Sequence, residues 1–174
     1  MAAFFSGWYE DVTLRGIAKD ADVALQTVRN HFATKEELFA VAAEEWGSRI
    51  ETTRWSVTPG DVAGAIRVLV DDYERTGDGA LRMQAVEERL PIVRPTLDRG
   101  RQGHESWCAH VFAAALEGLD EATRRRRLAQ FVVATDVHTW QILRRDKGFD
   151  RKTTITAMRE LVLALHTNPE EARS

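Results

Sequence analysis

Residues 9–41 read YEDVTLRGIAKDADVALQTVRNHFATKEELFAV, and this stretch decides the fold of the N-terminal part of the chain. Apolar residues at helical spacing follow Thr13 and predict a short helix to about Ala21, with Thr13 as its N-cap. The dipeptide Asp22-Val23 then interrupts the spacing, and Asp tolerates the left-handed backbone that a tight turn requires. We therefore expect a first short helix that ends in a tight turn.

The second half of the stretch predicts two further helices. One runs from about Leu25 to Phe32 and turns Val28 and Phe32 inward. The spacing of Thr34 and Glu37 is that of a capping box, which predicts the start of a longer helix ending near Arg54. Two short helices joined by a tight turn form a helix-turn-helix, which is a DNA-binding motif.

The expected outward face of the second short helix is polar. It carries Leu25, Gln26, Thr27, Arg29 and Asn30. In a helix-turn-helix this helix lies in the major groove, where Gln and Asn pair with adenine, Arg pairs with guanine, and a Thr methyl contacts thymine. The alternative is an ordinary solvated helix face. We predict that this face contacts DNA.

From Tyr9 to Val41 the sequence resembles the DNA-binding head of the tetracycline-repressor (TetR) family. The shared residues are Thr13, Ile17-Ala18, the turn at Asp22-Val23, Thr27, His31-Phe32, Thr34-Lys35-Glu36 and Leu38. The family usually has Gly at Asp22 and Tyr at Arg29. It also has a longer first helix, so that either translation starts late here or the true start lies upstream. We expect the short helix to leave Phe4 and Phe5 poorly covered.

The resemblance implies which residues contact double-stranded DNA. Phosphate contacts fall on Thr13, Arg15 and Lys35, and the groove is lined by Leu25, Gln26, Thr27, Arg29, Asn30 and His31. The stretch from Ala134 to Leu165 resembles the last two helices of many family members, which form a dimer interface. Its candidates here are Trp140, Met158, Leu161, Val162 and Leu165. A homodimer of this kind binds a palindromic operator and is released by a small-molecule effector.

The family's architecture places the effector in the helical body. The candidates are large or polar side chains on otherwise apolar helices: Met83, Glu87, His104, Trp107, Val111, Asp136 and Trp140. A carboxylate such as Asp136 at the apolar centre of a helix costs free energy unless it is paired. It is interpreted either as a hydrogen-bonding group toward a neighbouring helix or subunit, or as an anchor for an apolar or aromatic effector.

The rest of the chain has helical periodicity throughout, which predicts an all-α protein. We expect a DNA-binding head at residues 1–46 and a ligand-binding and dimerisation body at residues 47–174. The predicted body helices run from Pro59 to Arg75, Ala80 to Leu90, Thr96 to Leu116, Glu121 to Arg145 and Arg151 to His166. The first is expected to begin at Pro59 and to end at the Thr76-Gly77-Asp78-Gly79 segment.

Composition narrows the classes of function. With 44% hydrophobic and 29% charged residues, the 174-residue chain is typical of a globular protein. The net charge of −3 excludes a globally basic nucleic-acid coat, although residues 12–35 carry four basic and two acidic side chains. No apolar run is long enough to span a membrane and no signal-peptide pattern is present, so we expect a cytoplasmic protein with no membrane partner.

Enzymatic and metal chemistry receive no support from the residue pattern. The lone Cys108 excludes an intramolecular disulfide, and no His or Cys spacing predicts a metal site or a cofactor. The chain is therefore expected not to be an enzyme. Two alternatives stay open, namely a ligand-binding or dimerisation protein of the same fold that has lost DNA binding, and a small all-helical enzyme.

Overall fold

The computed structural model describes residues 3–166, and within that range the chain is all-helical with no β-strand. This confirms the predicted fold class. The α-helices are α1 (Ala3–Ser6), α2 (Leu14–Asp20), α3 (Leu25–His31), α4 (Lys35–Arg54), α5 (Val62–Ala85), α6 (Arg94–Val111), α7 (Ala113–Leu116), α8 (Glu121–Thr135), α9 (Val137–Gln141) and α10 (Arg151–Ala164). Short 3-10 turns lie at Tyr9–Asp11 and Pro91–Val93, and a π-helical turn lies at Ile142–Asp146. No helix among these is long and apolar enough to cross a membrane.

The chain divides into two compact units. Unit 1 comprises Met1–Ile50 and Asp78–Gly100, and unit 2 comprises Glu51–Gly77 and Arg101–Ser174. Helices α4, α5 and α6 each contribute residues to both units. The sequence periodicity did not indicate that residues 78–100 pack with the N-terminal segment, because that association depends on long-range contacts.

The core of unit 1 brings α2 and α3 together with α4 and with side chains from residues 83–97. Its buried members include Phe4, Ile17, Val28, Leu38, Phe39, Met83, Val86, Val93 and Leu97. Phe4 is only 2% exposed, because its ring packs on Tyr9 and edge-on against Phe39. Phe5 stacks on Trp46 at 4.4 Å between ring centroids. The expectation that the short first helix leaves Phe4 poorly covered is therefore wrong.

Helix α5 does not end at the predicted glycine-containing segment. It continues through Gly77 and Gly79 to Ala85. A Cβ atom at Gly77 would lie 2.6 Å from the Trp140 ring, and one at Gly79 would lie 2.5 Å from the Phe5 carbonyl oxygen. These glycines therefore allow close packing against a helix side, a role that the local sequence does not distinguish from helix termination.

The start of α5 also differs from the prediction, because Pro59 lies in a turn and not at the first helical position. The Asp61 amide donates to the Thr58 carbonyl at 3.1 Å, and Gly60 has a φ of 84°, as a type II turn requires. Asp61 then caps α5 by accepting the Gly64 amide at 2.9 Å.

The predicted helix from Glu121 to Arg145 is broken at Asp136. This residue has extended backbone angles between α8 and α9, and its carboxylate accepts the His138 amide at 2.8 Å. The same carboxylate pairs with His138 Nδ1 at 2.8 Å and is 37% exposed. Asp136 is therefore the N-cap of α9, and the prediction that it lies in the middle of a continuous helix is wrong.

Candidate functional site

Local hydrogen bonds set the geometry of α2, α3 and the tight turn between them in unit 1. Thr13 caps α2 by accepting the Gly16 amide at 3.0 Å. Asp22 has a φ of 53°, in the left-handed region, and the Val23 amide donates back to Ala18 at 3.0 Å. Helix α3 then packs against α2. The N-cap and the left-handed turn are both confirmed.

Helix α3 buries one side and exposes a polar side, which we call the α3 face. Val28 is 7% exposed and belongs to the unit 1 core. The α3 face consists of Gln26, Thr27, Arg29 and Asn30, all of which are exposed. The Gln26 amide nitrogen donates to Asn30 Oδ1 at 2.8 Å, so these two side chains are held side by side. An exposed face of this composition has the donors and acceptors that base edges require.

Two residues that were predicted to line the groove lie at the margins of this face. Leu25 is half-buried and packs against the unit 1 core, so it does not point outward as the sequence suggested. His31 is exposed at the C-terminal end of α3, and its ring lies 6.4 Å from that of Phe32. The polar side chains between these positions are therefore the accessible part of the predicted set.

The predicted phosphate contacts have different surroundings. Thr13 and Arg15 are exposed. Lys35 is half-buried, with its ammonium 4.1 Å from the centre of the Tyr9 ring and donating to the carbonyls of Tyr9 and Glu10. Burial, together with Glu36, raises the pKa of Tyr9 to about 12. Lys35 therefore fixes the 3-10 turn that precedes α2. Arg15 is the more exposed of the two cations.

The capping box at the start of α4 is present with a shifted partner. The Thr34 hydroxyl accepts the Glu37 amide at 3.1 Å, as predicted. The Glu37 carboxylate accepts the amide of Ala33 at 2.8 Å, one residue before the expected Thr34 amide. Both bonds satisfy amides at the helix start, and they fix the exit of the chain from α3.

The predicted dimer-interface residues differ in their exposure within the chain. Three of these residues are fully buried in unit 2: Trp140, Met158 and Val162. Leu161 is 47% exposed and Leu165 is half-buried, so these two remain accessible. Larger exposed fractions occur at Val133, with 67%, and Ile142, with 49%. Buried and exposed positions alternate on these helices, and periodicity alone did not assign the two sides.

The predicted effector residues are divided between the units. Met83 and Glu87 belong to unit 1, where Met83 is a core residue. The remaining members belong to unit 2: His104, Trp107, Val111, Asp136 and Trp140. The structure therefore does not support one set of seven lining residues within a single unit.

The tryptophans of this set are core residues whose indole nitrogens have protein partners. Trp107 donates to the Arg54 carbonyl at 3.0 Å, and Trp140 donates to the Glu74 carboxylate at 2.9 Å. Arg144 also donates to both oxygens of the Glu74 carboxylate, at 2.7 and 2.8 Å. These hydrogen bonds lower the pKa of the Glu74 carboxyl group. Both indoles are at 0% exposure, so they stabilise unit 2.

The interior of unit 2 contains a group of polar side chains, which we call the polar cluster: Arg54, Asp72, Tyr73, His104, Cys108 and Thr135. Asp72 is 2% exposed and accepts from Arg54 Nε at 2.8 Å. The Arg54 guanidinium lies 4.8 Å from the centre of the Tyr73 ring, and the Tyr73 hydroxyl donates to the Thr135 carbonyl at 3.0 Å. A buried ion pair requires such additional hydrogen bonds to offset the loss of hydration.

The second half of the polar cluster is centred on the Thr135 hydroxyl. This hydroxyl lies 2.7 Å from the Phe131 carbonyl, 3.1 Å from His104 Nε2 and 3.3 Å from Cys108 Sγ. Burial, with a further effect of Arg54, lowers the pKa of His104 to about 4. Burial raises the pKa of Cys108 to about 12. At neutral pH the cluster therefore holds a neutral imidazole and a thiol.

Sequence reasoning missed most of this cluster. It singled out His104 but not Arg54, Asp72, Tyr73 or Thr135. One signal was present, because Asp72 lies three residues after Leu69 on the apolar side of α5. Its partner Arg54 is 18 residues away, and no local pattern connects the two.

Within residues 3–166 no cluster of His, Cys, Asp or Glu side chains has the composition of a metal site. No protein-family model and no curated protein matches the sequence.

Proposed function

We propose that this chain is a DNA-binding transcriptional regulator of the tetracycline-repressor type. The observation that carries the proposal is the α3 face, which exposes Gln26, Thr27, Arg29 and Asn30 while Val28 anchors the helix in the core. The tight turn at Asp22 and the cap at Thr13 hold α2 and α3 in the arrangement that presents the second helix to a major groove.

The proposed active species is a homodimer on a palindromic operator. Exposed apolar side chains on α8, the π-helical turn and α10 support it, since their contact with water is unfavourable: Val133, Ile142, Leu161 and Leu163. A twofold dimer presents two recognition helices, which reach successive major-groove faces when they are roughly 34 Å apart.

The proposed regulation is release from DNA by a small-molecule effector. An effector that binds better to a dimer with the wrong separation of recognition helices lowers operator affinity, and by linkage DNA lowers effector affinity by the same factor. A bound dimer blocks polymerase, so repression relieved by the effector is the default. The second candidate function is a ligand-binding or dimerisation protein that has no DNA partner.

Selection of DNA from a random duplex library, followed by titrations at several salt concentrations, tests the proposal. We expect a palindromic site to be enriched. Arg29→Ala should cost about 1–3 kcal/mol on that site and relax preference at one base pair. Arg15→Ala should weaken binding to all sequences and reduce the salt dependence by about one phosphate contact.

The matched control is Arg125→Ala, which removes the same charge from an exposed position on α8. This variant should bind like the parent. If no sequence is enriched, or if Arg29→Ala binds the selected site like Arg125→Ala, the second candidate function replaces the first.

A further inference from the structure

The two amide side chains of the α3 face, Gln26 and Asn30, are joined by a hydrogen bond with a defined direction. Gln26 Nε2 is the donor, and Asn30 Oδ1 accepts it at 2.8 Å. The residues are four positions apart, so both amides lie on the same side of the helix. Both are exposed, whereas Val28 between them is buried in the unit 1 core. A ligand that approaches the α3 face therefore meets the two amides as a pair.

The direction of this bond decides what each amide can still offer. A primary amide has one carbonyl oxygen and two N–H hydrogens. Gln26 uses one hydrogen on Asn30 and keeps its Oε1 and its second hydrogen. Adenine in the major groove requires this combination, an acceptor for its amino group and a donor for its ring nitrogen. Asn30 already shares its oxygen with Gln26, so Gln26 is the amide whose oxygen and N–H are both available.

The positions of the two residues along α3 agree with this division. Gln26 is the second residue of the helix Leu25–His31, and Asn30 is the last but one. In a helix-turn-helix the N-terminal residues of the recognition helix contact the base edges. We infer that Gln26 reads an adenine in each operator half-site and that Asn30 is a positioning residue for the Gln26 amide. The inference rests on the proposed DNA-binding function.

Asn30 would act on specificity without contacting the base. A glutamine amide that is reversed end to end presents its nitrogen to the amino group of adenine and its oxygen to the ring nitrogen, which pairs two donors and two acceptors. Asn30 Oδ1 accepts only from the nitrogen of Gln26, so it favours one of the two orientations. An amide that is oriented before binding also loses less conformational freedom on the DNA.

The test uses the full chain and an operator selected from a random duplex library. Each adenine of one half-site is replaced in turn by purine, which lacks the amino group, or by 7-deazaadenine, which lacks the ring nitrogen. At one adenine, each analogue should weaken binding of the parent about fivefold, as expected for one hydrogen bond. Gln26→Met, which keeps the length of the side chain but has no amide, should bind the analogues and adenine alike. Arg125→Ala should respond like the parent.

The role of Asn30 is measured by the ratio of the affinities for adenine and for its analogues at that position. Asn30→Leu keeps the shape but removes the acceptor, and should lower the ratio from about fivefold to about twofold or less. Asn30→Asp restores an acceptor oxygen and should keep the ratio of the parent, although its charge weakens binding to all DNA. A merely structural role of Asn30 would weaken binding to adenine and to the analogues equally, and would leave the ratio unchanged.

The inference and the proposed function fail in different ways. A selected operator in which no adenine depends on Gln26 supports the regulator and overturns the inference. A ratio in Asn30→Leu equal to that of the parent overturns the positioning role of Asn30. If no sequence is enriched, the proposed regulator itself is overturned, and the adenine contact with it.

Discussion

The α3 face and the polar cluster use similar side chains in opposite surroundings. On α3, Gln26 and Asn30 are exposed and bond chiefly to each other. In the cluster, Asp72 and Thr135 are 2% and 0% exposed and bond to several protein groups. A polar group in water has alternative partners, while a buried one depends on the protein. Substitutions on the α3 face should therefore leave the fold stable, whereas substitutions in the polar cluster should destabilise it.

The largest expected effect is on the buried ion pair. Asp72→Asn keeps the shape but leaves the Arg54 charge without its counter-ion, which should cost about 3–5 kcal/mol of unfolding free energy. The neighbouring Asp71 pairs with Arg151 at 2.6 Å, with side chains 39% and 47% exposed. Asp71→Asn should cost less than about 1 kcal/mol. The measurement is the free energy of unfolding in urea. If Asp72→Asn and Asp71→Asn reduced it equally, the expected difference between the buried and the exposed ion pair would be wrong.

A change of pH should reveal the buried imidazole. The pKa of His104 is lowered to about 4 in the folded chain, against 6.5 ordinarily. The unfolded state therefore binds more protons between these values, and the stability contribution that is complete above pH 6.5 is lost as the pH falls toward 4. The loss from this group should be about 3 kcal/mol.

The measurement is the free energy of unfolding of the parent and of His104→Asn at pH 7 and pH 4.5. The variant lacks the titrating ring, so its stability should fall less steeply between the two values. Parallel losses in both proteins would show that other groups account for the acid sensitivity.

The smallest expected effect is on the α3 face. Gln26→Ala removes one exposed side-chain pair and introduces a strong helix former, so the unfolding free energy should change by less than about 0.5 kcal/mol. The control Val28→Ala, on the buried side of the same helix, should cost more than about 1 kcal/mol. A large loss for Gln26→Ala would mean that the α3 face is maintained for stability, and would weaken its assignment to DNA.

The parts of the fold that could be predicted are those decided within a few residues. Thr13 and Thr34 cap the helices that follow them, and Asp22 adopts the left-handed turn. The polar face of α3 was predicted for the same reason, since one inward residue, Val28, fixes the direction of its neighbours. Caps, turns and helical faces depend on hydrogen bonds and spacings that a short stretch contains.

Sequence by itself therefore determined the all-α class, the two short helices with their tight turn, and the polar members of the α3 face. The tertiary structure alone decided how polar and small residues are used in the rest of the chain. Gly77 continues a helix because the Trp140 ring occupies the space of a side chain. Asp72 is tolerated in a core because Arg54 reaches it. Residues 78–100 join unit 1 through packing with distant segments. Each outcome depends on contacts between residues that are distant in the sequence. Local helix propensity does not describe such contacts.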